Sequence, residues 1–333
     1  MSIKKIGIIG SGAWGTAMAS VLAENGHKVC VYGIDENEIN DISVKRKNAK
    51  YFGEYYRVHD NVKATLDFGD VVKYNDVFVL AVPSFAIKET IEKIKPYVKN
   101  DTVIVNLAKG FEAETKKTVG QFIRSLLPFG LRKNVVSLLG PTYATEVAEK
   151  QVTAITASAD SFDTSKKVKE IFQNDYLRVF PNNDPIGSEY CSGLKNVIAL
   201  ACGISDGLGY KVNTRSAIMT EGLKEIAEFV ESLGGNVKTC FGLAGVGDLV
   251  LTCSSNTSRN YTAGYEIGKT SVEEFLYLNR KTVEGVFAAE IAYEIAKENN
   301  LKAPLIEFIY DVLIAKKDML SEITILKDKI IGD

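Results

Sequence analysis

Three glycines near the amino terminus have a spacing that is suited to binding phosphate groups. They lie in the hexapeptide Gly10-Ser11-Gly12-Ala13-Trp14-Gly15. In the pattern G-x-G-x-x-G, the first glycine permits a tight turn, the second lets backbone approach a pyrophosphate, and the third allows a helix to pack closely on a strand. Free amides at the start of the next helix, from Ala13, would then bind the phosphates. The motif predicts a bound dinucleotide.

The turn after the second predicted strand bears on which dinucleotide is bound. An acidic residue about 20 positions past the glycines binds the ribose of NAD, whereas a basic residue accepts the 2′-phosphate of NADP. Asp35 stands at about this distance, but it could equally cap the helix predicted over 36–44. Because Ile34 precedes it and no Arg or Lys stands at this turn, the sequence predicts NAD or NADP, with NAD favoured.

Two charged residues in the second half of the chain lie among apolar neighbours. Lys195 belongs to the helical stretch 192–199, where a lysine is either a surface residue with a buried stem or a functional group. Burial lowers the pKa of a lysine and can make it a proton donor and acceptor near neutral pH. Asp248 follows a glycine-rich turn and could cap a helix or pair with Lys195; the local pattern favours the cap.

Two further segments are candidate sites for an anionic substrate. Ser258, Arg259 and Asn260 end a polar stretch and lead into a helix predicted from about 261. A guanidinium beside helix amino-terminal amides suits a phosphate dianion, although the same residues could form an ordinary solvated loop. Gly140 and Thr142 could contribute as well, or could form a simple strand-to-helix turn.

Histidines and cysteines give no comparable signal. His27 follows a turn and His59 lies in a polar, tyrosine-rich segment, so we expect neither to be catalytic. No metal-ligand cluster is apparent, and no metal is expected. The five cysteines are odd in number and form no C-x-x-C pair, which argues against a disulfide framework and fits a reducing cytoplasm.

Two kinds of element must position these residues. Over the first 185 residues, amphipathic segments alternate with apolar runs that predict strands at 6–9, 29–32, 77–82, 102–106, 135–139 and 153–156. Predicted helices include 13–24 and 85–94. This alternation predicts an α/β fold, a Rossmann domain with a doubly wound, mostly parallel sheet covered on both faces.

The second half has a different pattern of apolar residues. Helical windows at 187–202, 214–233, 283–298 and 304–315 predict an all-helical domain. We therefore divide the 333 residues into a dinucleotide-binding Rossmann domain, 1–185, and a helical substrate and catalytic domain, 186–333. The short polar boundary near 182–185 predicts packed domains.

Composition limits the partners. The chain is 46% hydrophobic and 25% charged with a net charge of −2, so we expect neither nucleic acid nor membrane as a partner. No apolar stretch approaches the roughly 18 residues that span a bilayer. A small anionic substrate remains compatible, because one local cationic pocket does not show in a net charge.

Further segments extend the glycine motif into a resemblance. With it, they resemble bacterial NAD(P)-dependent glycerol-3-phosphate dehydrogenases, in order and without a large gap from about residue 4 to about residue 325. The segments are Ala81-Val82-Pro83-Ser84, Ala108-Lys109-Gly110-Phe111-Glu112, Gly140-Pro141-Thr142-Tyr143-Ala144, Ser192-Gly193-Leu194-Lys195-Asn196-Val197-Ile198-Ala199, Ala244-Gly245-Val246-Gly247-Asp248-Leu249 and Ser258-Arg259-Asn260.

The resemblance implies hydride transfer between NAD(P)H and dihydroxyacetone phosphate, giving sn-glycerol 3-phosphate for phospholipid synthesis. It implies a cytoplasmic homodimer with Lys195 as the catalytic acid–base. The implied substrate site comprises Lys109, Gly140, Thr142, Lys195, Asp248, Ser258, Arg259 and Asn260. The implied cofactor contacts, beyond the glycine motif and Asp35, are Trp14, Ile34, Lys109, Ala144, Arg259, Thr282 and Glu284.

One departure and two alternatives accompany this assignment. The family usually has His or Arg where this chain has Ile34, which puts the use of NADP in doubt more than that of NAD. A related hydroxyacid dehydrogenase with a Rossmann and a helical domain would share much of the pattern. A nicotinamide sensor without activity would keep the glycine motif and lose the acid–base group, whereas Lys195 is present here.

Overall fold

The computed structural model describes residues 2–278 and 283–331. The chain separates into two compact units, an amino-terminal unit, Met1–Pro185, and a carboxy-terminal unit, Ile186–Asp333. Within the described residues, no helix has the length and apolar character needed to cross a membrane.

The amino-terminal unit is built on one eight-stranded sheet with the order β3-β2-β1-β4-β5-β6-β7-β8. All neighbouring strands are parallel except β6 and β7, which are antiparallel. The strands are β1 (Lys5–Ile9), β2 (Lys28–Tyr32), β3 (Val62–Thr65), β4 (Val77–Leu80), β5 (Val103–Asn106), β6 (Val135–Leu139), β7 (Thr153–Ser158) and β8 (Leu177–Asn182). The predicted Rossmann architecture is confirmed, and its strand order reverses between β1 and β4, where such folds bind ligands.

Helices accompany this sheet, and its central strands are buried. They are α1 (Ala13–Glu24), α2 (Glu36–Asn40), α3 (Ala49–Phe52), α4 (Phe68–Val71), α5 (Ile87–Ile94), α6 (Val119–Leu126), α7 (Ala144–Ala148) and α8 (Phe162–Phe172). Ile8 belongs to one buried cluster and its neighbour Ile9 to another, because successive side chains on a strand point to opposite faces. Covering both faces explains why the strands read as continuous apolar runs.

Several predicted boundaries were wrong. The strand predicted to reach 82 ends at Leu80, and the helix predicted from 85 starts as a 3₁₀ turn, Ser84–Ala86. The helix predicted over 36–44 divides into α2 and a π-helical turn, Asp41–Lys45. Strands β3 and β8 were not predicted, and both lie at the edges of the sheet.

All regular elements among the described residues of the carboxy-terminal unit are helices. Its helices are α9 (Pro185–Gly207), α10 (Val212–Ser232), α11 (Val237–Cys240), α12 (Asp248–Ser254), α13 (Arg259–Lys269), α14 (Val272–Leu278), α15 (Glu284–Glu298), α16 (Pro304–Leu313) and α17 (Met319–Ile331). A π-helical turn, Leu243–Gly247, leads directly into α12. The predicted all-helical character is confirmed.

Two of these helices pack backbone against backbone. A Cβ added at Gly203 of α9 would lie 2.1 Å from the carbonyl oxygen of Tyr261, and one added at Gly264 of α13 would lie 2.3 Å from that of Leu200. Only glycine fits such an approach. The contact holds α13 against the carboxy-terminal part of α9, and both helices carry predicted site residues.

Candidate active site

The glycine loop has the geometry of a phosphate cradle. Gly10 has φ +116°, and an added Cβ would lie 2.3 Å from the carbonyl oxygen of Ala81; one on Gly15 would lie 1.9 Å from that of Gly10. Gly12 differs, since the nearest heavy atom to an added Cβ is the Tyr51 hydroxyl at 4.0 Å. Gly12 is also the N-cap of α1, and no described side chain caps it. The open space at this helix start fits a dinucleotide pyrophosphate.

The turn after β2 settles one of the two open interpretations of Asp35. Its Oδ1 accepts hydrogen bonds from the amides of Asn37 at 2.9 Å and Glu38 at 3.3 Å, so Asp35 caps α2. These bonds, led by that from Glu38, lower the pKa of the Asp35 carboxyl. The cap is confirmed, while the predicted ribose contact stays a prediction. Ile34 beside it is 88% exposed.

Two other predicted cofactor contacts lie near the same sheet. Trp14 is in the first turn of α1, and Ala144 begins α7. Both side chains are partly buried against the core cluster on one face of the sheet. Their contact with a dinucleotide stays a prediction.

The predicted substrate residues of the amino-terminal unit cluster after β5 and β6. The Lys109 ammonium donates to the carbonyl oxygen of Gly140 at 3.3 Å, and the Thr142 hydroxyl donates to the same oxygen at 3.1 Å. The Asn106 side chain stabilises the turn that leads to Lys109. It donates to the carbonyl oxygen of Ala108 at 2.9 Å and accepts from the Ala108 amide at 3.0 Å. The carboxyl ends of two parallel strands thus place a cation beside a glycine turn.

A buried polar group lies at the centre of the carboxy-terminal unit. The Lys195 ammonium, on α9, is 2.5 Å from the Asp248 Oδ1 and donates to the Thr252 hydroxyl oxygen at 2.7 Å. Lys195 is 5% exposed and Asp248 is 1% exposed. The Thr252 hydroxyl in turn donates to the backbone oxygen of Asp248 at 2.6 Å. Two acceptors on one helix, α12, therefore orient the amine.

The predicted preference for Asp248 as a helix cap was wrong. The N-cap of α12 is Gly247, and Asp248 is the first helical residue, with its carboxylate directed to Lys195. The buried carboxylate and the buried ammonium compensate each other's charge, so removal of either partner is expected to be destabilising. An amine held in this way is suited to giving a proton to an oxygen and taking it back.

The polar segment before α13 is a helix start. Ser258 is its N-cap, accepting at its hydroxyl from the Tyr261 amide at 3.3 Å. The Arg259 guanidinium is 69% exposed and lies 3.2 Å from the Glu284 carboxylate at the start of α15. The Asn260 side-chain oxygen accepts from the Gly285 amide at 2.9 Å. Contacts between the starts of α13 and α15 therefore bring Ser258, Arg259, Asn260 and Glu284 together. Thr282 lies outside the described residues.

The histidines and cysteines have structural surroundings. His27 is buried, with Nδ1 accepting from the Lys4 amide at 3.3 Å and Nε2 at 3.3 Å from the Ile171 carbonyl oxygen, and burial lowers its pKa. His59 accepts at Nδ1 from the Asn61 amide at 3.1 Å. All five cysteines are buried free thiols. Within residues 2–278 and 283–331, no three His, Cys, Asp or Glu side chains are grouped to hold a metal.

Two contacts of the candidate site residues were missed by sequence reasoning. Thr252 follows Asp248 by four residues, so the helical spacing of two polar residues in an apolar segment was an available signal. Glu38, buried on α2, accepts from the Ser11 hydroxyl at 2.6 Å and from Lys50 at 2.5 Å. No local sequence pattern predicts the contact between Glu38 and Lys50, because Lys50 lies 12 residues away on α3.

Comparison with known proteins identifies the family of the chain. The family model described as NAD-dependent glycerol-3-phosphate dehydrogenase N-terminus matches residues 5–165, and that of the C-terminus matches 184–324. A glycerol-3-phosphate dehydrogenase [NAD(P)+] of Enterococcus faecalis is 38% identical over 317 residues, 95% of this chain and 93% of that protein.

Solved structures agree. A glycerol-3-phosphate dehydrogenase of Coxiella burnetii has a TM-score of 0.87 and 32% identity, covering 97% of this chain and 98% of that one. A yeast glycerol-3-phosphate dehydrogenase has a TM-score of 0.84 and 27% identity, covering 99% of each chain. The resemblance inferred from the motifs is confirmed: this chain belongs to the NAD-dependent glycerol-3-phosphate dehydrogenase family.

Proposed function

We propose that this chain catalyses the reversible, NAD(P)-dependent conversion of dihydroxyacetone phosphate to sn-glycerol 3-phosphate. The observation that carries the assignment chemically is the buried Lys195 amine, paired with Asp248, in a chain of the glycerol-3-phosphate dehydrogenase family. A ketone reduced to an alcohol needs one proton at the new hydroxyl oxygen. A positioned amine supplies that proton without a metal.

The amino-terminal unit is the proposed dinucleotide domain. The amides that begin α1 would hold the pyrophosphate, supported by the open space at Gly12. Bound NAD(P)H supplies the hydride for C2 of the substrate. Trp14, Ala13 and Ala144 would line the cofactor, and Lys109 would neutralise negative charge near the reacting oxygen while Gly140 and Thr142 shape its turn.

The carboxy-terminal unit is the proposed catalytic domain. Lys195 would give a proton to the C2 oxygen during reduction and take it back during oxidation. Asp248 and Thr252 orient its ammonium through bonds of 2.5 and 2.7 Å. Because those two acceptors come from one helix, the amine is positioned before substrate arrives, which reduces the entropy cost of the reaction.

The start of α13 would hold the substrate phosphate. Ser258, Arg259 and Asn260 combine a guanidinium with the amide groups of a helix amino terminus, and both attract a phosphate dianion. The exposed Arg259 guanidinium lies beside the Glu284 carboxylate. Arg259, Thr282 and Glu284 would also contact the cofactor.

Cellular setting follows from the same proposal. We propose a cytoplasmic homodimer without a nucleic-acid partner, whose product enters phospholipid synthesis. Five buried free thiols and a net charge of −2 support this setting. Light scattering after size-exclusion chromatography measures the oligomeric state, and a monomer at micromolar concentration would contradict the dimer.

The activity is tested by following absorbance at 340 nm with NADH and, separately, NADPH as dihydroxyacetone phosphate is added. Turnover with that substrate and none with 3-hydroxyacyl or 6-phosphogluconate-type substrates, assayed in their oxidising direction, supports the proposal. Cofactor binding without substrate-dependent absorbance change would instead indicate a sensor. Preference for one of the competing substrates would indicate a related hydroxyacid dehydrogenase.

A further inference from the structure

A charged cluster lies beside the glycine loop, where β2 ends. Glu38 on α2 is its centre and is 7% exposed. One carboxylate oxygen accepts from the Ser11 hydroxyl of the glycine loop at 2.6 Å. The other accepts from the Lys50 ammonium at 2.5 Å and from the Tyr51 hydroxyl at 2.9 Å. Glu38 thus ties α3 to the loop proposed to hold the cofactor.

Asp35 extends this cluster to the turn where a ribose is expected. Its Oδ1 caps α2, while its Oδ2 is 3.5 Å from the same Lys50 ammonium. Two carboxylates therefore share one lysine, and the three side chains together carry a net charge of −1. Bonding to Glu38, the largest contribution, raises the pKa of Lys50, so its charge persists at neutral pH.

Close packing leaves this arrangement little freedom. A Cβ added at Gly33 would lie 2.2 Å from the Ser11 hydroxyl oxygen, so the end of β2 and the glycine loop are in direct contact. Releasing Lys50 to another anion would leave the Glu38 carboxylate buried without its counter-charge, which costs free energy. The Lys50 side chain itself is 56% exposed, and its ammonium compensates the charge of the buried Glu38 carboxylate.

We propose that Asp35 and Glu38, with Lys50 held between them, make this enzyme select NAD(H) over NADP(H). The inference rests on the proposed function and names the residues that set its cofactor preference. A 2′-phosphate would add two negative charges next to a cluster that is already negative, whereas a 2′-hydroxyl could donate to Asp35. Discrimination by such repulsion needs no arginine and fits the exposed Ile34 at this turn.

The test compares NADH with NADPH for the wild type and for Glu38→Gln. Glutamine keeps an oxygen acceptor but removes the charge, so Lys50 becomes available to a phosphate. We expect the ratio of kcat/KM for NADPH to that for NADH to rise at least about tenfold, a change typical of one relieved charge contact. Lys50→Gln should move the ratio in the opposite direction, because the cluster then carries −2.

Glu54→Gln is the matched control, since Glu54 pairs with Lys47 in the same segment and should leave the ratio unchanged. Direct binding supplies a second readout: Trp14 is the single tryptophan of the chain and lies in the glycine loop, so its fluorescence can be titrated with NAD⁺ and NADP⁺. A wild type that binds NADP⁺ as tightly as NAD⁺ would overturn the inference. So would equal weakening of both cofactors by Glu38→Gln, which indicates a purely structural role.

These outcomes separate the two proposals. If no dihydroxyacetone phosphate is reduced with either cofactor, the proposed function fails while the Trp14 titrations still decide the preference. If both cofactors support equal turnover, the function stands and the selectivity inference fails.

Discussion

In the amino-terminal unit, the features proposed to bind ligand are made largely of backbone, whereas in the carboxy-terminal unit they are made of side chains. The glycine loop works through the positive φ of Gly10 and the open space at Gly12. The lysine site consists of contacts from Lys195 on α9 to Asp248 and Thr252 on α12. The first kind of site is formed by consecutive residues. The second is formed by residues that are distant in the sequence and that folding brings together.

The largest expected effect comes from breaking the side-chain site. Lys195→Met should lower kcat by about 10²–10⁴-fold, the usual contribution of general acid–base catalysis. Cofactor binding, followed by Trp14 fluorescence, should change little. Steady-state assays with dihydroxyacetone phosphate measure the loss, and near-normal turnover of the variant would remove Lys195 from the mechanism.

Two further variants control for that substitution. Lys224 is an exposed lysine paired with Glu221, and Lys224→Met should retain normal turnover. Because Lys195→Met removes the ammonium beside the buried Asp248 carboxylate, the single variant is also expected to lose stability. The double variant Lys195→Met/Asp248→Asn should recover part of the melting temperature and none of the activity.

A second side-chain contact in the carboxy-terminal unit predicts a dependence of stability on pH. Glu225, 4% exposed, accepts from the amides of Leu305 at 2.6 Å and Ile306 at 3.3 Å at the start of α16. Burial raises the pKa of its carboxyl from 4.5 to about 8. Between these values the folded state keeps a proton that the unfolded state loses, so this residue makes stability fall as pH rises.

The expected size is up to about 1.4 kcal/mol per pH unit within that window, or roughly 3–4 kcal/mol between pH 5 and pH 8. Glu225→Gln should remove this part of the slope. Urea unfolding of both proteins at several pH values measures it. Parallel pH profiles for the wild type and the variant would show that the Glu225 proton does not contribute.

Breaking the backbone site should have a smaller but selective effect. A Cβ on Gly15 would lie 1.9 Å from the Gly10 carbonyl oxygen, so Gly15→Ala must displace the loop. We expect a loss of stability of about 1–3 kcal/mol, typical of overpacking, together with weaker binding of NAD⁺. Gly130→Ala is the control, because an added Cβ meets nothing within 4 Å there. Equal behaviour of the two variants would contradict a tightly packed cradle.

The same contrast explains what the sequence could predict. Six of the eight strands were predicted because they are buried on both faces and read as apolar runs. The edge strands escaped detection: β3 carries Lys63, and β8 alternates buried Leu177 and Val179 with exposed Arg178 and Phe180. A strand with one neighbour and a solvent-facing side has no continuous apolar pattern.

Site residues divide in the same way. The glycine motif and the Ser258 segment were found because their chemistry is local. The partner of Lys195 was not fixed by sequence, since Asp248 lies 53 positions away and local signals favoured a cap. The Glu38–Lys50 pair was not predicted for a similar reason, because its two residues lie 12 positions apart on α2 and α3.

The glycine contact between α9 and α13 has a consequence for how this enzyme can evolve. Where two helices touch through side chains, a larger or smaller residue can adjust the gap between them. Here main chain meets main chain at Gly203 and Gly264. Substitutions at this contact therefore cannot adjust the spacing of α9, which carries Lys195, and α13, which carries Arg259. Acceptance of a longer or shorter phosphorylated substrate would have to arise from residues outside this pair of helices.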